Sequence, residues 1–547
     1  MLRAAATAPA AALLAVLVLV LLPLPASAAT YSSLWGKDGN DWDPRGRLPD
    51  FSYAGYKYGT EALPEPPVTR SVLKFKRAGM TDTQAIKHAL DWANKQRLTN
   101  KFIVLSIPPG TYTLTERLFI RRSRVVLRGA GAGKTTLYIP KSLYDVYGPN
   151  PRNRETGAYV TSDAFLKIEG TGVKGSMAAT VVKFAAKGAV WVVVNKPSAL
   201  KVGEYFDMWF TDIGGKFNNY MYDNLLEAPA KYRGDTRVKF TTKILAIRGN
   251  ASAACCCLLL LLLARIKIER NLPYDINYKM NIVRFHERPR TVSESGIEGI
   301  TFAFKWTWYP GHHLERGMNA VELSDVRDCW VRNIATINAD NTVLMQGVTS
   351  STIVGVTISA SKTRANRIPN QYKERADRDG HWGIEFAHSF DVLVRRVVQI
   401  SSLMHSVGTD SSGKWGVFAD LKFRDGNLDL HRALSGPTLY TDIDVGLGTN
   451  ALWSGGPRAS GANAAAGTTW WNIRSKKAVT PNASNTAKPG DCSYGPVINI
   501  VNVNLIPAMA RKICRTWLYE RYVSSPANLY EAQYERRMRL AAAAASG

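Results

Sequence analysis

Between Asp379 and Arg432 the chain gathers side chains that carry charge and exchange protons. They are Gly380-His-Trp-Gly-Ile-Glu-Phe-Ala-His388, His405, Gly408-Thr-Asp410, Lys414 and Asp429-Leu-His-Arg432. Neutral turns have little need for His, Asp, Glu, Lys and Arg together, whereas acid–base chemistry requires such a set in one groove. Removing a proton beside an anionic group needs a cation, a base and an acid. Arg432, Lys414 or Lys362 can supply the charge. His405 or His431 can be the base, because imidazole titrates in the useful range, and Tyr440 can be the acid. Asp410 or Asp429 can orient a histidine. Alternatively, Asp429 with Asp425 can hold Ca²⁺, a hard cation that takes carboxylate oxygens. His381 and Glu385 complete the candidate catalytic group.

His381, His405 and His431 are 24 and 26 residues apart. They meet only if the chain repeats at that length. Five apolar runs suggest that it does: Cys329–Ile334, Thr352–Ile358, Val392–Val398, Trp415–Leu421 and Thr438–Val445. Val331, Val354, Val394, Val417 and Leu439 are separated by 23, 40, 23 and 22 residues, the longer step containing the polar stretch 361–380. Each unit opens on a polar residue, Asn319, Asn341, His381, His405 or Asn427. Short strands of Val, Ile and Thr follow, broken by Gly, Ser, Asn or Asp. Such a unit cannot bury a core alone, so copies must stack as coils of a parallel β-helix, an all-β solenoid. Counted from each opening residue, Glu385, Thr409 and His431 take equivalent places. The groove is expected over residues 312–460, roofed by the basic loop 361–380.

The ends of a stack expose unpaired backbone and must be covered. Thr83–Lys95 reads as an amphipathic helix with Ala85, Ile86, Ala89, Leu90 and Ala93 on one face, capped by Thr81 or Asp82. The Tyr530–Leu540 stretch reads as a helix near the other end. Gly188–Asn195, Gly203–Phe210 and Lys243–Arg248 read as antiparallel strands of an inserted β subdomain. The expected organisation is a signal peptide at 1–28, an extension and capping helix at 29–100, and first coils at 101–186. An insertion follows at 187–290, the main β-helix at 291–505 and a partly helical tail at 506–547.

Residues 1–28 show a positive start, an apolar run and Ala26-Ser27-Ala28, the pattern of a cleaved secretory signal. The protein is therefore expected outside the cell, in wall or matrix, with no membrane contact after cleavage. Asn250 and Asn482 open glycosylation sequons. The block Cys255–Leu263 is too short to span a bilayer and reads as a low-complexity insertion. Cys492 and Cys514 are candidates for a disulfide, and Cys329 reads as a buried small hydrophobe.

Val104-Leu-Ser-Ile-Pro-Pro-Gly-Thr-Tyr112 and Val125-Val-Leu-Arg-Gly-Ala-Gly-Ala-Gly-Lys-Thr-Thr-Leu137 resemble the opening of the pectate-lyase-like superfamily. Gly296-Ile-Glu-Gly-Ile300, Asn319-Ala320, Cys329-Trp-Val-Arg-Asn333 and Asn338-Ala-Asp340 resemble its later coils. The resemblance covers most of residues 70–505 and implies a right-handed parallel β-helix. It is weak for activity, since that superfamily includes lyases, hydrolases, epimerases, tailspikes and proteins without known catalysis.

Seventy Lys+Arg against 44 Asp+Glu give a net charge of +26, which favours a polyanion. No zinc, helix-turn-helix or RNP-like motif supports nucleic acid, so an acidic polysaccharide is the expected partner of a monomeric protein. Gly129–Thr136 mimics a phosphate-binding loop, but Arg128 stands where that loop requires its first glycine. The expected reaction is β-elimination of a uronate-containing chain. Hydrolysis of the polygalacturonase type is the competing reading. It finds Asn338-Ala-Asp340 and Gly380-His381-Trp382-Gly383, but no Asp pair between them and an Arg265-Ile-Lys267 that comes too early. A non-catalytic polysaccharide binder is the third. Trp453, His313 and Glu315 join Lys362, Lys414 and Tyr440 as candidate sugar contacts, because aromatic faces and polar loops suit sugar rings.

Overall fold

A computed structural model describes residues 29–172, 175–224, 237–249, 263–288, 291–366, 376–483 and 490–546. The expected signal peptide, Asn250, nearly all of the Cys/Leu block and the middle of the 361–380 loop lie outside these residues. Among them, no helix is long and apolar enough to cross a membrane.

The repeating runs form a parallel sheet, strand on strand. Val331, Ile353, Val394, Phe418, Tyr440, Trp470 and Ile500 are successive register partners along it. A second parallel sheet runs beside it through Leu118–Ile120, Leu166–Glu169 and Asn319–Ser324. It continues through β1 (Asn341–Gln346), β2 (Gly380–Ala387), β3 (Leu403–Asp410) and β4 (Leu428–Leu430). Side chains from both sheets fill the interior between them. Phe386, Phe418 and Tyr440 stack there at 5.4 and 5.0 Å with nearly parallel rings. The molecule is a parallel β-helix.

A bend recurs in seven successive coils of the first sheet. Asn333, Gly355, Arg396, Asp420, Asp442, Asn472 and Asn502 all have positive φ, between 51° and 69°. Only Gly, and next Asn and Asp, take that region at low cost. Six of these seven positions obey the rule, and Asn502 donates to Asn472 at 3.0 Å as a stacked amide. The column explains why polar residues punctuate the apolar runs.

The first sheet is apolar on both faces. Its outer face (Leu393, Val417, Ala419, Leu439, Trp471, Val501) is covered by Trp35, Trp42 and Phe51 and by the start of α2 (Leu529–Ser546). The C-terminal helix therefore lies along the side of the stack, not at its end. The N-terminal helix α1 (Asp82–Lys95) is closed by a reciprocal Thr81–Gln84 cap and buries Ile86, Ala89, Leu90 and Ala93 against the first coils.

Between Glu169 and Gly296 an antiparallel sheet runs in the order 177–180, 281–287, 205–212, 237–249, 264–268, 191–194. Its apolar face meets Phe390, Trp415 and Leu434 of the coils. Arg270 joins the two parts through a bidentate pair with Asp391, at 2.9 and 3.0 Å, with both side chains at most 1% exposed. Cys492 and Cys514 are bridged. Cys329 is buried, which pushes its thiol up to about 12. Gly129 is a packing glycine: a Cβ there would lie 2.2 Å from the Gly299 carbonyl oxygen.

Candidate functional site

The coils and a flanking loop bring five histidines into one chain of rings. His405 lies 5.4 Å from His381 and 5.4 Å from His431. His312 lies 4.7 Å from His381 and 6.0 Å from His405. His313 stacks on His312 at 3.7 Å. Five of the chain's eight histidines thus share one site.

The register differs by one or two residues from that counted on the sequence. Glu385 pairs with Gly408, which pairs in turn with Asp429, whereas Thr409 pairs with Phe386 and Leu430. His405 pairs with Trp382, on the column that begins with Asn319 and Asn341. The step from Val407 to Leu428 is only 21 residues, and a shortened turn slides every later residue along. His431 converges all the same because it follows β4 and turns back onto Asp429.

Asp429 is the electrostatic centre. It is fully buried, its Oδ2 lies 2.7 Å from His431 Nδ1, and its Oδ1 accepts from the Gly455 N–H at 2.8 Å. The His405 and His431 rings hold its carboxyl down at about 2 against the cost of burial. Burial disfavours charge on His431, but Asp429 overrides it and raises the imidazole to about 9. His431 is accordingly cationic at neutral pH, with 19% of its side chain exposed. Gly455 makes room for it, since a Cβ there would lie 2.4 Å from His431 Cε1.

The other rings behave oppositely. Burial first, then mutual repulsion of the imidazoles, pulls His312 and His381 far below the usual range. Burial takes His405 to about 3, with Asp429 opposing. His405 is closed in by Trp382 at 4.2 Å and Trp453 at 5.7 Å, both nearly parallel to it. His381 and His405 are 2% and 0% exposed, so neither touches a substrate as a base.

The loop bearing His312 and His313 is pinned from below. Glu315 is fully buried, takes the Tyr309 hydroxyl at 2.5 Å and lies 3.1 Å from His381 Nδ1. Burial lifts its carboxyl to about 8. It is a floor residue, not a sugar contact. Arg364, also fully buried, pairs with Asp340 at 2.7 Å and donates to the Ala339 and Asp379 carbonyls. Asp340, the carboxylate of the hydrolase-like Asn338-Ala-Asp340, is spent in that pair.

Several residues expected at the substrate lie elsewhere. Tyr440 is fully buried in the coil interior and its hydroxyl donates to the Asp429 carbonyl, so it cannot protonate a sugar oxygen. Lys414 is fully buried under the 434–437 turn, bonded to the Leu434 and Gly436 carbonyls, and burial lowers its amine to about 7. Arg432 is 7% exposed and donates to the Gly461 carbonyl. Glu385 is 3% exposed, and burial with nearby Asp410 raises its carboxyl. Asp410, half-buried, accepts from Ser411. Asp425 accepts from the Thr449 N–H, while both Asp429 oxygens are engaged with His431 and Gly455, so these two do not build a Ca²⁺ site together. His313 and Trp453 remain at the mouth, with Lys362 exposed and its ammonium 3.9 Å over the Trp306 ring. Trp382 and Gly455 are site members that the candidate set lacks. His312 belongs to the His312-His313-Leu-Glu315 group, whose residue types can bind metal but lack the i, i+4 helical spacing, so that its sequence reads first as a loop or sugar contact.

No protein-family model and no curated protein matches the chain. Among solved structures, a polygalacturonase from Erwinia carotovora ssp. carotovora is 10% identical, with a TM-score of 0.41 over 85% of this chain and 99% of that one. The tailspike protein gp49 of Pseudomonas phage LKA1 is 10% identical, with a TM-score of 0.39 over 76% of this chain and 62% of the tailspike's length. The catalytic domain of a GH87 alpha-1,3-glucanase is 10% identical, with a TM-score of 0.32 over 84% and 69%. At such values the architecture rests on the chain's own strand register, which is that of a parallel β-helix.

Proposed function

We propose that the protein is an exported enzyme that cleaves an acidic, uronate-containing polysaccharide by β-elimination. The observation that carries this reading is the buried Asp429 holding His431 as an imidazolium at the mouth of a histidine-lined site. A fixed cation at that point neutralises a sugar carboxylate or protonates the departing oxygen. His313, the most exposed imidazole of the site, is the base. Trp453 and the Lys362–Trp306 pair offer a ring face and positive charge to the polymer. The net charge of +26 attracts such a chain from solution.

Hydrolysis needs two carboxylates reaching one bond from opposite sides. Here Glu385 and Asp429 are buried, and Asp340 is paired with Arg364. The test is a screen against pectate, alginate and glycosaminoglycans. A lyase releases unsaturated uronate, which absorbs in the ultraviolet. Reducing ends without that absorbance would replace elimination by hydrolysis. Retardation on a charged glycan column without turnover would leave a binding protein.

A further inference from the structure

The inner corner of the site has no part in that elimination. His312, His381 and His405 come from the 305–316 loop and from two successive coils, and their ligand atoms all lie within 4.8 Å of one another. His381 and His405 are buried, and among the described residues neither Nε2 has a hydrogen-bond partner. Buried polar nitrogens are seldom left so. The Nδ1 atom of His405 is hydrogen-bonded, and that of His381 has a carboxylate oxygen close by without hydrogen-bond geometry. His381 Nδ1 lies 3.1 Å from Glu315 Oε1, and His405 Nδ1 lies 3.4 Å from both Asn427 Oδ1 and Asp429 Oδ2. At His405 an oxygen behind Nδ1 holds the proton there and leaves the Nε2 lone pair for a ligand, as in carboxylate–histidine–metal triads; Glu315 takes the same part at His381 once the two align.

The geometry points to a borderline divalent transition metal of the Zn²⁺ type, held by His312, His381 and His405 with its fourth position facing the mouth. Neutral imidazoles select such ions over Ca²⁺ or Mg²⁺, which take oxygen. Tetrahedral bonds of about 2.1 Å put ligand nitrogens roughly 3.4 Å apart, so the rings need to close by about an ångström. A second group, His405, Asp429 and His431, is equally compact. It is already a satisfied ion pair, with Asp429 shared between His431 and the Gly455 N–H. Glu315 is a positioning residue for His381. This site does not depend on the elimination chemistry, since it can bind metal whether or not the protein cleaves a polymer.

The test strips the full-length protein with chelator and titrates Zn²⁺ by calorimetry, with metal analysis and the visible spectrum of Co²⁺ as second readouts. The expected result is one equivalent per chain and a tetrahedral Co²⁺ spectrum. H312A, at a half-exposed loop position, keeps the melting temperature and loses the site; E315Q weakens it about 10–100-fold; H431Q keeps it. The proposal is overturned by a wild type that binds no Zn²⁺ or Co²⁺, by H312A binding unchanged, or by H431Q abolishing binding, which would move the ion to the Asp429 group. All readings are taken without substrate, so an absent lyase activity leaves them interpretable.

Discussion

Replacing Asp429 by Asn tests the electrostatic core of the site. In the wild type His431 is raised from the ordinary 6.5 to about 9, chiefly by a carboxylate 2.7 Å away. A rise of about 2.5 pH units corresponds to roughly 3 kcal/mol, at about 1.36 kcal/mol per unit. One edge of the ring is 19% exposed, and solvent there trims the value toward about 2 kcal/mol. A raised imidazole stabilises the fold fully below its unfolded value near 6.5, and the contribution fades as pH rises through about 9. A depressed carboxyl works from the other side: the Asp429 contribution is present above about 4 and is lost as pH falls through about 2. D429N is therefore expected to melt well below the wild type near pH 5.5, with the gap narrowing near pH 9.5. In chelator-treated protein, NMR titration of the His431 ring should show its midpoint falling by two units or more, because the carboxylate that chiefly opposes burial is then gone. A His431 midpoint that stays near 9 in D429N, or a stability gap independent of pH, would refute the reasoning.

Three further outcomes follow from the fold. R270M leaves Asp391 charged and buried, and is expected to cost about 3–5 kcal/mol; the double variant R270M/D391N should regain part of it in thermal melts. N502V forces a β-branched residue into the positive-φ column and should cost about 1–2 kcal/mol by denaturant unfolding, while N502G stays close to wild type. C492S/C514S opens a loop of 22 residues and should lower stability by about 3 kcal/mol under non-reducing conditions, with no effect once both proteins are reduced.

The coil period was legible because interior positions must repeat once per turn: Val417 and Leu439 are true register partners. The register between other coils was not, because turns absorb insertions silently. Val354 falls beside Arg332, one place from Val331, and the same slip misplaced Thr409 and His431. A better marker was present in the column Asn333, Gly355, Asp420, Asp442, Asn472 and Asn502, whose residue types follow from left-handed backbone rather than from burial. At the site, residue type marked which groups titrate, and the coils bring His381, His405 and His431 together, but accessibility was not readable. Lys414 and Tyr440 look like reagents in sequence, yet a turn and the coil interior enclose them. His312 and Glu315 enter from a loop outside the repeat, where periodicity says nothing about distance.

The most direct measurement of the account is ultraviolet absorbance of the products when the protein and its H431Q variant are incubated with pectate, alginate and glycosaminoglycans. The account predicts that the wild type generates unsaturated uronate from at least one of them and that H431Q, assayed well below its own melting temperature, does not. Turnover by H431Q at the wild-type rate, or new reducing ends from the wild type without any absorbance, would contradict it.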